Sequence, residues 1–421
     1  MKLLFLSHRL PFPPNKGDKI RSHALFTHLA AKHQVYLGCF IDDDADFAHE
    51  SSVREIAGGD CLMLPLTKRR KQIASAMALL NGASITEEVY RSMAMQRWID
   101  TVLQREAIDC AVVFSSSMAP YLLSGKHLPA GRVLFDMVDL DSDKWRQYSA
   151  LAGPLTAWIY RREAAKLLAL ERRAAAKFAR TYLVSPYEVR SFSQLAPESS
   201  ARIQALSNGV DLEYFAPGNF ASPFPPDVTP IVMTGRMDYW PNVEGALWFT
   251  REVLPLVKQK IADARFYVVG GQPASALRNL AAPDVEVTGE VPDVRPYIAA
   301  ARVVVAPLRI ARGVQNKVLE ALAMGIPTVA TEEASRALAV SHGKDIWIAG
   351  GAAAFADAVV GAAEAAGRTL IAANGRSYVE KNHDWSRLLS RFDAALEDLA
   401  APERDHATWR VQAPAKVRAG L

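Results

Sequence analysis

The chain reads as an α/β protein built from two doubly wound halves that face each other across a cleft. Three observations predict this. Its 421 residues exceed one ordinary α/β domain and suit two of similar size. Short apolar or β-branched runs alternate with longer segments of helical spacing, and such nearly all-apolar strands belong to parallel sheets covered on both faces. A stretch rich in Pro and Gly, residues 216–230, has no apolar period, separates the runs into two sets and reads as a connector.

Taken in order, the first half predicts strands over 2–7, 34–40, 61–65, 109–114, 132–138 and 181–185. The opening run resembles a leader, but His8 and Arg9 follow its short apolar core at once, so it reads as the first strand. The expected compartment is therefore the cytoplasm. No apolar run reaches the roughly 20 residues that span a bilayer. The second half predicts strands over 230–235, 265–271, 285–289, 302–307, 326–331 and 345–350. Ligands of such sheets bind at the carboxyl ends of the strands, here in the cleft. The segment past Pro402 has little apolar periodicity and reads as a loose tail.

Half of the residues are hydrophobic and the net charge is only +4, which argues against nucleic acid as a partner by bulk electrostatics. Cys39, Cys61 and Cys110 lie far apart in apolar runs, as buried reduced thiols do. Basic residues cluster at Lys68–Lys71 and again between Arg161 and Arg180. The first cluster leads into Ile73, Met77 and Leu80, so the segment 67–82 could rest on an anionic membrane surface or pack as an ordinary cationic helix end.

The densest chemistry lies in 309–331. A strand ends at Pro307, an irregular loop carries Gly313, and a helix is predicted to start near Val314 to Asn316. A helix N-terminus with Lys317 in its first turn suits an anion, and Glu320 lies on the same face. Arg236 follows a strand and Gly235, where a guanidinium could meet a diphosphate. The first βα loop carries Lys16, Gly17 and, one turn on, Arg21. Asp136, Asp139, Asp141 and Asp143 crowd the end of another strand. Their spacing is calcium-like but lacks the Gly and Glu of an EF-hand, and Asp141 with Ser142 could instead cap a helix.

The segment LEALAMGIPTVAT resembles the donor-binding motif of retaining glycosyltransferases of family 4, in which Glu, seven residues, Glu precede Ala-x-Ala-x-Gly-x-Pro-x-Val. Glu320 matches the second, ribose-binding Glu; position 312 is Arg where the family has its first Glu, which touches the donor sugar. RGVQNKVLEA resembles the exosortase (PEP-CTERM)-associated sugar transferases of bacterial exopolysaccharide loci. SNGVDLEYFAP (207–217) and VTGEVPDVRPYIAAARVVVAPL (287–308) match the family's entry into the second domain and its base-contacting segment.

The resemblance implies the GT-B fold, with a Rossmann-like acceptor-binding domain over 1–206, a Rossmann-like donor-binding domain over 207–384, and a final helix in 385–421 returning to the first domain. It implies donor binding by Gly17, Gly235, Arg236, Gly289, Glu290, Val291, Gly313, Val314, Gln315, Asn316, Lys317 and Glu320. Catalytic roles fall to Arg236, Lys317 and Asp139, with Asp136 the second choice for the place beside the reacting sugar. Lys16 and Arg21 stand on the acceptor side. Expected partners are a nucleotide-sugar donor, a saccharide or polyprenyl-linked acceptor and the inner-membrane surface through Lys68–Lys71, without metal or other cofactor. A nucleotide-sugar 2-epimerase and a non-catalytic nucleotide-sugar or glycan binder share this frame. An NAD-dependent oxidoreductase does not, because no GxGxxG follows a strand.

Overall fold

The computed structural model describes residues 1–14 and 17–400. The first sheet holds β1 (Lys2–Ser7), β2 (Gln34–Ile41), β3 (Gly58–Pro65), β4 (Cys110–Phe114), β5 (Val133–Val138), β6 (Arg180–Leu183) and β7 (Ile203–Ala205). Their order is β3-β2-β1-β4-β5-β6-β7. The second holds β8 (Thr229–Thr234), β9 (Ala264–Val269), β10 (Val285–Gly289), β11 (Val303–Ala306), β12 (Thr328–Ala330) and β13 (Trp347–Ile348), in the order β10-β9-β8-β11-β12-β13. Neighbouring strands run parallel, as at β1–β4 and β8–β11. Each order turns back at its first strand, so the switch points lie between β1 and β4 and between β8 and β11. Every predicted strand forms; β7 alone is unforeseen, because three residues carry no readable period.

Parallel strands need cover on both faces, and Leu3 to Leu6 of β1 are accordingly buried in full, pointing alternately into two cores. One of those cores is closed by the last described helix, Trp385–Ala400. Leu388, Leu389, Phe392, Ala395 and Leu396 recur at helical spacing and pack with Leu3, Phe5 and Val112 of the first sheet. Asp393 of the same helix takes His28 of helix Gly17–Ala30 and Lys32 just past its end. The last described helix thus packs on the first domain.

Two crossings join the domains side by side. The Val210 N–H donates to the His383 carbonyl at 2.8 Å, and Val210 bridges Asp384. Residues 216–230, read from the sequence as the connector, belong instead to the surface of the second domain. Phe224 lies 4.3 Å from the Tyr267 ring, centre to centre, and Phe215 and Phe220 pack beside it. Aromatic side chains inside a Pro-rich stretch supply apolar area that a free linker lacks. Cys39, Cys61 and Cys110 are free and buried. The segment past Pro402 lies outside the described residues, as does Lys16.

Candidate active site

The second domain forms one wall of the cleft. Helix Asn316–Ala323 starts because Val318, Leu319, Leu322 and Ala323 make a buried stripe against the sheet. Gln315 at its N-cap makes no side-chain capping bond, and its carbonyl takes the Val318 N–H at 2.9 Å. Lys317 sits in that turn, 8% exposed, and donates through Nζ to Asn242 Oδ1 at 2.5 Å. Asn242 also donates through Nδ2 to the Arg236 carbonyl at 2.7 Å. Gly235 is held at φ 145°, and a Cβ there would stand 2.9 Å from Asn242 Nδ2 and 3.1 Å from Lys317 Nζ. Only glycine fits. Gly235, Arg236, Asn242 and Lys317 therefore converge beside the second sheet's switch point.

The electrostatics of this wall are tense. Burial pushes the Lys317 ammonium down to about 8, against the pull of Glu320. Burial pushes the Glu320 carboxyl up to about 7, against the pull of Lys317. The Arg236 guanidinium is half-buried and held by Asp238 at 2.8 Å and Gln272 at 2.7 Å. Hydrogen bonds from Gly235 N to Val269 O and from Gly270 N to Gly289 O tie the loops after β8, β9 and β10 into one edge. Gly289 and the exposed Glu290 lie on that edge, and Val291 packs into the aromatic cluster below.

The first domain forms the facing wall. Gly17 opens helix Gly17–Ala30, and a Cβ on it would lie 4.0 Å from Asn316 Nδ2. Two helix N-termini, one from each domain, thus point at one space. Gly313 is held at φ 59°, and a Cβ there would stand 2.5 Å from Asp139 Oδ1, so glycine lets Asp139 reach the second domain. That buried oxygen has no hydrogen-bond partner among the described residues. Burial, then the charge of Asp141, raises the Asp139 carboxyl above its usual range.

Two further acids, Glu188 and Glu171, were not foreseen. Glu188 is 3% exposed and lies against the Leu140 backbone, next to Asp139; burial raises its carboxyl strongly. Ser185-Pro-Tyr-Glu188 has the spacing of a capping box, which hides any other role in the sequence. Glu171 is fully buried, pushed up to about 8, and accepts from the Ser142 backbone N–H at 3.1 Å. It fills the end of helix Asp141–Leu151, where Leu140, not Asp141 or Ser142, is the N-cap. Among the described residues no three His, Cys, Asp or Glu side chains stand close enough to share a metal ion.

Arg21 and Asp136 are not at the cleft surface. They form a buried bidentate pair at 2.8 and 2.9 Å. Arg21 also donates to the carbonyls of Leu206 and Ser207 and to Asn208 Oδ1. Asn208 in turn donates to Asn316 Oδ1 at 3.2 Å. The pair expected at the acceptor side and beside the sugar is thus engaged in fixing the first crossing to helix Asn316–Ala323. Nothing in the lone sequence links Arg21 to residues 206–208.

Arg312 spans the cleft. It donates through Nε to Gln147 Oε1 at 3.1 Å and pairs through NH2 with Asp143, both on helix Asp141–Leu151. Asp143 is also held by Arg146 through Nε at 2.8 Å. The wall near Asp139 thus carries Lys144 and Arg146 as well as its acids.

Outside the cleft, helix Lys68–Asn81 turns its small residues inward and its large ones out. Ala74 and Ala78 are buried, while Ile73, Met77 and Leu80 are exposed, Leu80 at 88%. Arg162 reaches from helix Pro154–Lys177 to the Ala78 carbonyl, and Leu155 and Trp158 on that helix are exposed beside it. No helix among the described residues is long and apolar enough to cross a membrane.

Residues 229–364 match the sequence model of the family described as glycosyl transferases group 1. A comparison with curated proteins gives no match. Among solved structures, the chain resembles HepE of Anabaena, solved with UDP and glucose, at 14% identity and TM-score 0.65, covering 94% of this chain and all of that one. It resembles sucrose-phosphate synthase of Thermosynechococcus elongatus at 16% identity and TM-score 0.69, covering 94% and 98%. It also resembles WaaG, a glycosyltransferase of lipopolysaccharide biosynthesis, at 14% identity and TM-score 0.65, covering 94% and 99%. The fold is the two-domain GT-B fold. With a group 1 glycosyltransferase domain set in that frame, the chain is a transferase enzyme.

Proposed function

We propose that the protein transfers a sugar from a nucleoside-diphosphate donor to a glycan or lipid-linked acceptor, with retention at the anomeric carbon, in bacterial exopolysaccharide or cell-surface polysaccharide synthesis. The observation that carries this is the meeting of Lys317, Asn242, Gly235 and Arg236 at the N-terminus of helix Asn316–Ala323. Breaking the anomeric C–O bond leaves negative charge on a diphosphate, and prearranged cations and N–H dipoles are the strongest means of stabilising it. Burial has weakened the proton affinity of Lys317. A diphosphate beside it would restore that affinity, so the ammonium interacts most strongly when the leaving group carries most charge.

The acceptor would approach Asp139 on the facing wall. Front-face attack is the path assigned here: the anomeric carbon loses the diphosphate and gains the acceptor oxygen on the same side, while the acceptor proton passes to the departing phosphate. Solved neighbours bound to UDP and UDP-glucose favour a uridine nucleotide. We assign the outward face of helix Lys68–Asn81, with Leu155 and Trp158, to an anionic membrane surface, the source of a polyprenyl-linked acceptor at the cytoplasmic side. Apolar residues out and alanines in is the reverse of what a solvent-facing helix needs.

A thermal-shift screen against UDP-, GDP-, ADP- and TDP-sugars tests the donor: one nucleotide class should raise the melting temperature, because it binds only the folded state. Products from that donor with and without an acceptor extract separate transfer from 2-epimerisation and from binding alone. For the membrane, replacing Lys68–Lys71 by Glu should abolish co-sedimentation with vesicles containing phosphatidylglycerol; unchanged sedimentation would remove this part of the reading.

A further inference from the structure

We infer that Arg312 selects a donor whose sugar carries a carboxylate, a hexuronate. The inference rests on the reading of Lys317 and Arg236 as the diphosphate site. Arg312 immediately precedes Gly313, and its carbonyl accepts from Gln315 Nε2 at 2.7 Å, so it belongs to the turn that opens helix Asn316–Ala323. A sugar attached to a diphosphate at that helix end would enter the space where the loop carrying Arg312 and Gly313 faces Asp139. The guanidinium of Arg312 reaches from this same loop across the cleft to Asp143 and Gln147.

The chemistry of that position is one-sided. A guanidinium has five N–H donors and no acceptor, so it cannot receive a hydrogen bond from a sugar hydroxyl. Its planar fork matches a carboxylate in two parallel bonds. Arg312 is already satisfied by a carboxylate, Asp143, which a neutral hydroxyl displaces poorly and a second carboxylate displaces on equal terms. Asp143 can release it without being left bare, because Arg146 holds its other oxygen at 2.8 Å. Lys144 draws on Asp141 and Asp139 from the same helix. Exchange of one carboxylate for another at Arg312 therefore leaves Asp143 paired with Arg146.

The test is a calorimetric titration of the full chain with paired donors: UDP-glucuronate against UDP-glucose, and GDP-mannuronate against GDP-mannose. In the pair whose nucleotide binds, the uronate should bind at least tenfold tighter, and Arg312→Gln should bring the two members level while the neutral one changes little. Arg312→Lys, which keeps the charge but not the fork, should fall between. Apo melting curves establish that both variants fold. Equal or tighter binding of the neutral sugar, or a uronate preference that survives Arg312→Gln, overturns the inference and assigns Arg312 to holding the domains together. If no nucleotide sugar binds, the donor reading itself fails and takes this inference with it.

Discussion

The two walls of the cleft are built on opposite electrical plans. On the second domain, cations are gathered at a helix N-terminus: Lys317 is buried, donates to the Asn242 amide and feels the pull of Glu320, and Arg236 stands half-exposed at the rim. On the first domain, carboxyls are gathered under a loop: Asp139, Glu171 and Glu188 are all pushed toward their neutral forms. Each wall holds groups whose charged forms burial disfavours, Lys317 and Glu320 on the second and Asp139, Glu171 and Glu188 on the first. Functional sites are where such displacement concentrates. The first wall can hold or pass a proton; the second can receive an anion.

The largest effect should come from breaking the buried Arg21–Asp136 pair that anchors the first crossing. Arg21→Ala leaves Asp136 uncompensated and should lower stability by about 3–5 kcal/mol, read by denaturant unfolding. A loss below about 1 kcal/mol would mean the pair does not fix the crossing. Next in size are the rim cations. Lys317→Ala and Arg236→Ala should each cut turnover by about 10²–10³ while the melting temperature stays near that of the parent, the range for removing one charge-stabilising donor. Normal turnover in both variants would remove the cationic wall from the chemistry.

Asn242→Ala sharpens the comparison within one wall. It leaves both cations in place but frees Lys317 Nζ and the Arg236 carbonyl, and turnover should fall about tenfold, one hydrogen bond's worth. The smallest effect belongs to the acidic wall. Glu171 has its folded pKa raised from 4.5 to about 8, so between those values the folded state holds a proton that the unfolded chain has lost. Stability from this group is full at low pH and is lost as pH rises toward 8. Glu171→Gln should flatten the decline in melting temperature over that window; an unchanged slope would show that Glu171 does not cause it.

The sequence exposed the second wall well because its parts are close in the chain. Gly313, Lys317 and Glu320 share one loop and one helix, and Arg236 follows a strand directly, so local spacing together with the family resemblance gathered them into one proposed diphosphate site. Asn242 escaped because a neutral side chain in the first turn of a helix has many ordinary uses. The first wall was poorly legible. Asp139, Glu171 and Glu188 lie on a loop and two different helices, and only the packing of those helices brings them together. Arg21 and Asp136 looked like surface chemistry because each follows or ends a strand-edge element, yet burial converts them into a structural pair. The connector was misplaced for a related reason: Phe220 and Phe224 carry the apolar signal of a Pro-rich stretch, but not the period that would reveal it.

The most direct test of the account is a calorimetric titration of UDP and GDP, from pH 7 to 9.5, in buffers of different ionisation enthalpy. A diphosphate held by Lys317 should raise that group's pKa from about 8, so binding should take up protons above neutral pH and weaken as pH climbs past 8. Uptake should vanish in Lys317→Ala. Binding of neither nucleotide, or proton uptake that persists unchanged in that variant, would contradict it.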